Sequence, residues 1–304
     1  MTQEETREDI VVVAVDGSPA SDNAVRWAAN TAMKRGIPLR LAASYTMPQF
    51  LYAEGMVPPA EIFDELQRET MQSVDRARDI ALEVAPDLHI GHAVAEGSPI
   101  DMLLRMSNES TMIVMGSRGL GGLSGMVLGS VSGAVVSHAN CPVVVVREDS
   151  AVTEENKYGP VVVGVDGSEV SQRATEVAFE EAAARGAELV AVHTWVDTHI
   201  QGPGAGYAVA EDHWEAVKQD KQQLLDELLA ELIEKYPDVQ VKKVIARDRP
   251  VRALTNAAEN AQLLVTGSHG RGGFKGMLLG STSRALLQSA PVSYTHLTLP
   301  TTPY

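Results

Sequence analysis

Two glycine-rich stretches with the same spacing carry the clearest chemical signal in the sequence. GSRGLGGLSGMVLGS occupies residues 116–130, and GSHGRGGFKGMLLGS occupies residues 267–281. Glycine permits positive φ angles and close approach of the backbone, so such a loop can wrap its amide N–H groups around phosphate oxygens. Neither stretch contains an acidic residue, although the chain carries a formal net charge of −15. The pattern predicts two local anion sites in an acidic protein.

The residues at the ends of these stretches fit the same chemistry. A helix predicted to begin at Gly129–Ser130 directs the positive end of its dipole toward a bound anion, and the Ser130 hydroxyl can donate a further hydrogen bond. Basic residues lie within both stretches: Arg118 in the first, and His269, Arg271 and Lys275 in the second. A flexible surface turn is the alternative interpretation of a single loop, and repetition of the spacing weakens it.

Two other phosphate motifs are excluded by the sequence. A Walker loop places four residues between a glycine and a Gly-Lys-Ser or Gly-Lys-Thr triplet, and no such string occurs here. The dinucleotide fingerprint G-x-G-x-x-G follows the first strand of its fold, where this sequence reads DGSPAS.

The glycine-rich stretches belong to two copies of one unit. VVVAVDGSPASDNAVRWAANTAMKRGIPL at 11–39 aligns with VVVGVDGSEVSQRATEVAFEEAAARGAEL, which begins 150 residues later, and the glycine-rich stretches lie 151 residues apart. The polar segment REDSAVTEENKYG between the copies has no periodicity and is typical of a linker. We predict domains at 1–149 and 160–291, a linker at 150–159 and a separate tail at 292–304.

Each copy alternates short apolar strands with helices. In the first copy Ser18 is predicted as the N-cap of the first helix, Pro19 as its first residue and Gly36 as its exit. A long amphipathic helix follows at about 60–85. Apolar strands separated by helices indicate a parallel sheet covered on both faces. We predict two tandem, doubly wound, Rossmann-like α/β domains, each with a five-stranded parallel sheet flanked by helices.

A second candidate site feature closes the first strand of each copy. It is Asp16-Gly17-Ser18 in the first copy, and Asp166, Gly167 and Ser168 in the second. Ligands of doubly wound folds bind beyond the carboxyl ends of the strands, so these residues are expected near the glycine-rich loops. Asp-Gly-Ser is also good turn chemistry, and the turn and ligand roles are compatible.

The two features together resemble the universal stress protein family in its ATP-binding branch. The spacing Gly-x2-Gly-x9-Gly-Ser occurs twice. Each time it lies about a hundred residues after VDGS, which closes the first strand of the copy. The whole chain up to about residue 290 looks like the tandem-domain form of that family, whose fold is the adenine nucleotide alpha hydrolase type. The resemblance implies one ATP site per repeat, with Asp16 and Asp166 at the adenosine end. It further implies that Val131 and Thr282 each add a backbone amide.

The candidate nucleotide-binding residues lie at corresponding positions of the two copies. Those of the first copy are Asp16, Gly17, Ser18, Gly116, Arg118, Gly119, Gly129, Ser130 and Val131. Those of the second copy are Asp166, Gly167, Ser168, Gly267, His269, Gly270, Gly280, Ser281 and Thr282. Mg²⁺ is expected to accompany the phosphates.

The resemblance implies a nucleotide-linked regulator of stress response or growth arrest, with at most slow ATP hydrolysis, pairing of the two domains and a homodimer. An ATP-using enzyme of the same fold family, adenylate-forming or ATP pyrophosphatase-like, is one alternative. A scaffold that binds no nucleotide is another. No G-x-S-x-G nucleophile motif or His-Glu-x-x-His metal motif occurs. His89 and His92 are three residues apart on or beside a predicted strand, so they are expected to face opposite sides of it, which argues against a shared metal ion.

Composition narrows the remaining classes. The acidic pI of about 4.9 argues against broad binding to nucleic acid or to anionic membranes. One cysteine, Cys141, excludes an internal disulfide framework and fits a reducing compartment, where we expect it to be buried and inert. The polar N-terminal segment is unlike a secretory signal, so a cytoplasmic protein is expected.

The end of the sequence departs from the repeat. Where the first copy has CPVVVVRED, the second has VSYTHLTLPTTPY. This tail looks like translated sequencing-adapter sequence fused to a truncated gene, and we exclude it from functional reasoning. The second sheet is expected to lack its native last strand. Aligned at the constant spacing of 151 or after a two-residue deletion, the tail does not continue the apolar strand. The β propensity of the tail nevertheless allows a substitute strand there.

Overall fold

The computed structural model describes residues 8–47, 60–119, 128–147, 158–195, 211–270, 279–289 and 294–297. These residues form two compact units that follow one another along the chain. The first contains β1 (Glu8–Ala14), α1 (Pro19–Arg35), β2 (Leu39–Tyr45), α2 (Ala60–Val84), β3 (Ile90–Glu96), α3 (Pro99–Met106), β4 (Ser110–Gly116), α4 (Ser130–His138) and β5 (Val143–Val146).

The second unit repeats this order of elements. It contains β6 (Val161–Gly164), α5 (Glu169–Arg185), β7 (Leu189–Thr194), α6 (Glu211–Lys235), β8 (Val241–Ala246), α7 (Pro250–Ala257), β9 (Leu263–Gly267), α8 (Ser281–Ser289) and β10 (Tyr294–Leu297). The predicted alternation of strands and helices in two tandem α/β domains is confirmed.

All described strand pairs of the first unit are parallel, in the order β3-β2-β1-β4-β5. The chain moves outward from β1 to β3 and then returns to the other side of β1 with β4. Strand order therefore reverses between β1 and β4, which is where doubly wound folds open a crevice for ligands. The four strands of the second unit that match the repeat have the corresponding order, β9-β6-β7-β8.

Aliphatic strands form the core of each unit. Val11, Val12 and Val13 of β1 are completely buried, as are Val161, Val162 and Val163 of β6. Strands that are buried on both faces need apolar residues at every position, and β-branched valine suits the extended backbone. Cys141 is also buried, as predicted.

The first helix of the first unit begins and ends where the sequence predicts. The hydroxyl oxygen of Ser18 accepts a hydrogen bond from the N–H of Ser21 at 3.2 Å, Pro19 is the first helical residue, and Gly36 ends the helix at φ 67°. Ser168 and Gly186 have the same roles in the second unit. A serine N-cap and a left-handed glycine satisfy backbone groups that have no partner inside the helix.

The tail forms β10, which runs parallel to β9 with Tyr294 beside Leu264 and Leu297 beside Gly267. In the first unit Val143 lies beside Ile113 and Val146 beside Gly116. The two registers are related by a constant spacing of 151 residues, so the substitute strand follows that alternative and not the two-residue deletion.

We predict that valine at positions 295 and 296 stabilises the second unit. Thr295→Val and His296→Val reproduce Val144 and Val145, which are buried in the first unit, and burial of each apolar side chain contributes about 1–2 kcal/mol. Urea unfolding measures the gain. Lys242→Val, at an exposed position of β8, is the control for an added valine without burial. Equal unfolding midpoints for the double variant and the unaltered protein contradict the prediction.

Candidate functional site

The turn after the first strand of each unit is built around the predicted aspartate. Oδ1 of Asp16 accepts a hydrogen bond from the N–H of Ser18 at 3.0 Å, and Gly17 between them has φ 79°. Asp166 and the N–H of Ser168 make the same bond at 2.9 Å. The aspartate therefore forms the turn two residues beyond the strand, and in the first unit it lines the crevice.

A serine that the sequence reasoning did not single out fixes this turn from behind. The Ser21 hydroxyl donates to the last carbonyl of β1 at 3.3 Å and accepts from the N–H of Asp16 at 3.3 Å. Ser171 makes both bonds in the second unit. The signal was present in the sequence, since both copies read Asp-Gly-Ser followed by a second serine three positions later.

The loop after β4 approaches this turn without room for a side chain. A Cβ atom placed on Gly116 would lie 2.9 Å from the backbone carbon of Ala20, and one placed on Gly267 would lie 2.9 Å from a methyl group of Val170. Further along, a Cβ on Gly119 would overlap Oδ2 of Asp16. The two predicted motifs are thus in contact, although they lie about a hundred residues apart in the sequence.

The same contact occurs in the second unit. A Cβ on Gly270 would overlap Oδ2 of Asp166. Both units therefore place a carboxylate directly against the backbone of the glycine-rich loop.

The end of each loop is tied to the strand that precedes it. The N–H of Gly129 donates to the carbonyl of Ser117 at 2.8 Å, and the Ser132 hydroxyl donates to the carbonyl of Gly116 at 2.9 Å. The second unit has the equivalent bonds, from Gly280 and Ser283, at 2.7 Å each. These bonds hold the start of α4 or α8 over the crevice.

Helix α4 starts at Ser130 with Gly129 as an N-cap that has no side chain to satisfy the first-turn N–H groups. The first four N–H groups of an α-helix have no partner inside the helix, so they are suited to binding an anion. Ser130 is exposed and Val131 is half-buried. Residues 120–127 and 271–278, including the predicted basic residues Arg271 and Lys275, lie outside the described residues.

These elements enclose a cavity of about 450 Å³ in the first unit, a volume within the usual range for small-molecule sites. Seven predicted residues line it: Asp16, Gly116, Arg118, Gly119, Gly129, Ser130 and Val131. Four further polar residues that were not predicted also line it: Ser21, Ser44, Thr46 and Ser132. Its inner wall is mainly apolar and comes from β2, α3 and β4: Ala42, Ala43, Met102, Leu103 and Met115. An apolar wall beside a carboxylate and an uncapped helix N-terminus could accommodate a nucleoside phosphate.

Two predicted residues of the first unit are not among the described residues that line the cavity. A Cβ on Gly17 would face the Ser73 hydroxyl of α2 at 2.9 Å, and Ser18 is buried as the cap of α1. They shape the turn that presents Asp16. Gly167 and Ser168 have the corresponding places in the second unit.

The second unit keeps the frame of the site and changes its wall. At the positions of Ala43, Met102 and Met115 it has His193, Ala253 and Thr266. The His193 ring is buried, with Nδ1 2.7 Å from the carbonyl oxygen of Val165. The larger residue on β7 is thus accompanied by smaller residues on α7 and β9.

The cationic position of the loop also differs between the units. Arg118 lines the cavity of the first unit, and His269 takes its place in the second, with Nδ1 2.8 Å from the Ser268 hydroxyl. Within the part of the chain that the structure describes, no group of three or more His, Cys, Asp or Glu side chains could hold a metal ion. Among those same residues no helix is long and apolar enough to cross a membrane.

Comparison with known proteins supports the two-copy architecture. The model of the universal stress protein family matches residues 8–147 and again residues 157–295. Universal stress protein Rv2005c of Mycobacterium tuberculosis is 42% identical over 288 residues, which cover 93% of this chain and 94% of that protein. Universal stress protein Rv1996 of the same organism is 40% identical over 299 residues, with 93% of each chain covered.

A solved structure shares the fold across both units. The crystal structure of a universal stress protein from Archaeoglobus fulgidus has a TM-score of 0.69 with this chain at 20% sequence identity. The match covers 96% of this chain and 97% of that one.

We predict that Ser132→Ala lowers the free energy of unfolding by about 1–2 kcal/mol, because the buried hydroxyl is the donor that joins α4 to the carbonyl of Gly116. Chemical denaturation measures the loss. Ser137→Ala is the matched control, since its hydroxyl bonds only within the same helix, to the carbonyl of Gly133. A loss of stability no larger than that of the control would show that the bond from Ser132 to Gly116 does not stabilise the unit.

Proposed function

The chain belongs to the universal stress protein family and has its tandem-domain form, and from that premise we propose that each repeat binds ATP in the crevice after its first and fourth strands. One observation carries the proposal. In both units the backbone of the glycine-rich loop touches the carboxylate after the first strand so closely that no side chain fits between them. The two motifs therefore form a single site, with acceptor oxygens on one side and amide donors on the other.

The chemistry of the cavity supports an adenine nucleotide in particular. The wall formed by Ala42, Ala43, Met102, Leu103 and Met115 suits a flat aromatic base. Asp16 offers carboxylate oxygens, which accept hydrogen bonds from hydroxyl or amino groups of an adenosine. We assign this end of the cavity to the adenosine moiety.

The glycine-rich loop and the start of α4 suit the phosphates. The loop end at Gly129, the first-turn amides of α4 and the Ser130 hydroxyl are the donors, and Arg118 adds a permanent positive charge. Gly280, Ser281, Thr282 and His269 have the corresponding places in the second unit. Mg²⁺ would arrive with the nucleotide, since this ion commonly bridges phosphate oxygens and keeps several waters.

We propose a nucleotide-linked regulator of stress response or growth arrest that hydrolyses ATP slowly at most. A homodimer, which the family resemblance implies, and a cytoplasmic location, which the polar N-terminal segment suggests, belong to the same proposal, as does a downstream protein partner. An ATP-using enzyme of the same fold family is the second candidate function.

Gly119 and Gly270 leave no space for a side chain beside the carboxylates of Asp16 and Asp166. Gly119→Ala displaces the Asp16 carboxylate, so ATP affinity at the first site should fall about tenfold or more, and Gly270→Ala should do the same at the second. Isothermal titration calorimetry gives affinity and stoichiometry. Gly91→Ala is the control, because a Cβ there meets nothing within 4 Å. Unchanged binding in the double variant Gly119→Ala, Gly270→Ala contradicts the site assignment.

A second prediction concerns what the protein carries and what it does. Mass spectrometry of small molecules released from gently purified protein should find an adenine nucleotide. Incubation with labelled ATP should give product in amounts no greater than a few equivalents of protein. Sustained turnover would favour the enzyme candidate, and failure to bind any added nucleotide would favour a scaffold.

A further inference from the structure

The two crevices differ in the charge of the loop that follows the third strand of each unit. We use the name rim loops for residues 96–101 and 247–252, which run from the end of the third strand into the first turn of the following helix. Pro99 of the first lines the cavity, and Pro250 is its counterpart. The first rim loop carries the exposed carboxylates Glu96 and Asp101. The second carries Asp248 and three arginines, which are Arg247, Arg249 and Arg252.

The second rim loop is ordered by its own charges. Nε of Arg252 donates to Oδ2 of Asp248 at 2.6 Å, and the N–H of Arg249 donates to Oδ1 at 2.6 Å. The bond from Arg252 lowers the pKa of Asp248, so this carboxyl stays ionised at neutral pH. The guanidinium of Arg247 lies 5.7 Å from the ring centre of Trp195, at the end of β7.

The helix at the phosphate end changes in the same direction. Arg284 of α8 stands where α4 has Gly133, and its N–H bonds to the carbonyl of Gly280 at 2.9 Å, which places it in the first turn. Thr282 adds a hydroxyl where α4 has Val131. The replacement of Arg118 by His269 acts in the opposite direction.

The balance of these differences reverses the sign of the charge. The first crevice, counted over Asp16, the rim loop, residues 118–119 and residues 128–133, has three carboxylates and one guanidinium. The second, counted over the matching positions, has two carboxylates and four guanidiniums. The turns and the glycine contacts are the same in both units, so the two crevices differ in charge as well as in the residues of the wall.

This step rests on the proposed function. We propose that the two sites differ in how strongly they prefer a nucleoside triphosphate over a nucleoside monophosphate. The second site favours nucleoside triphosphate over monophosphate strongly. The first site, with its acidic rim, favours the triphosphate only weakly. Its affinity for a monophosphate is therefore closer to its affinity for a triphosphate than at the second site.

Electrostatics sets the size of the expected effect. Each pair of unit charges about 10 Å apart in salt solution changes affinity only slightly, because water and ions screen it. A triphosphate has two or more charges beyond a monophosphate, and each interacts with several differing side chains. The summed effect is about tenfold in the ratio of the two dissociation constants at low ionic strength.

The test isolates each site within the full chain. Ser130→Asp puts a carboxylate among the phosphate donors of the first site, and Ser281→Asp does so at the second. Both serines are exposed first residues of their helices, and an acidic residue at a helix N-terminus is compatible with folding. Calorimetry with ATP and with AMP then gives a monophosphate-to-triphosphate ratio of dissociation constants for each remaining site, at low and at moderate salt.

We expect the Ser130→Asp chain, which keeps the second site, to show a ratio about tenfold higher than the Ser281→Asp chain, and to lose more of it when salt is added. Arg249→Glu in the Ser130→Asp chain should lower the ratio. Lys235→Glu is its matched control, because it makes the same change in charge in the last turn of α6. That turn leads into the start of β8, whereas the rim loop follows the end of β8.

A reciprocal change tests the first site. Glu96→Arg in the Ser281→Asp chain should raise its ratio toward that of the second site.

The outcomes separate the two proposals. Equal ratios and equal salt dependence in chains that both bind ATP overturn the difference in selectivity and leave ATP binding intact. An effect of Lys235→Glu as large as that of Arg249→Glu also overturns it, since the rim would then have no special influence. If neither chain nor the unaltered protein binds ATP, the proposed function fails and this inference fails with it.

Discussion

The contact between the loop after the fourth strand and the turn after the first is the constraint on which the rest of each unit depends. Two stretches of backbone meet where even a methyl group would collide with the carboxylate of Asp16 or Asp166. That contact requires glycine in the loop, a hydrogen-bonded turn to hold the carboxylate, and two parallel strands side by side to bring both together. The site is therefore a property of the sheet topology as much as of its residues.

The proposed anion site uses backbone donors, which explains how an acidic protein could present such a site. Amide groups and a helix dipole attract phosphate without any change in net charge. The surrounding surface can then carry many carboxylates, which favour solubility. In this proposal the side chains at the rim adjust the selectivity of the site and are not needed to create it.

The sequence was sufficient to predict the elements and the motifs, because these are written in local patterns. Ser18 as a cap, Gly36 as a helix end and the alternation of apolar strands with helices all follow from neighbours within a few residues. Ser21 and Ser132 were missed because their partners are carbonyl groups at strand ends, which only the folded backbone brings near. The register of β10 was undecided for a similar reason, since its residues do not resemble the strand that they replace.

The two copies differ in side chains around the site and agree in the backbone contacts that shape it. The turns and the glycine contacts are retained, while the wall and rim exchange residues: His193 for Ala43 is accompanied by Thr266 for Met115, and Arg247 stands opposite Trp195 where the first copy has Glu96 and Tyr45. A backbone-built site tolerates such exchanges, because none of them alters the contacts that shape it.

The covalent joining of two copies has a consequence for how such a protein can evolve. Two identical chains that assemble as a symmetric pair must carry identical sites, and every mutation is expressed in both at once. In a tandem chain each copy is encoded separately, so one crevice can be altered while the other retains its original task. The charge reversal between the two rim loops is a difference that a symmetric pair of identical chains could not have acquired.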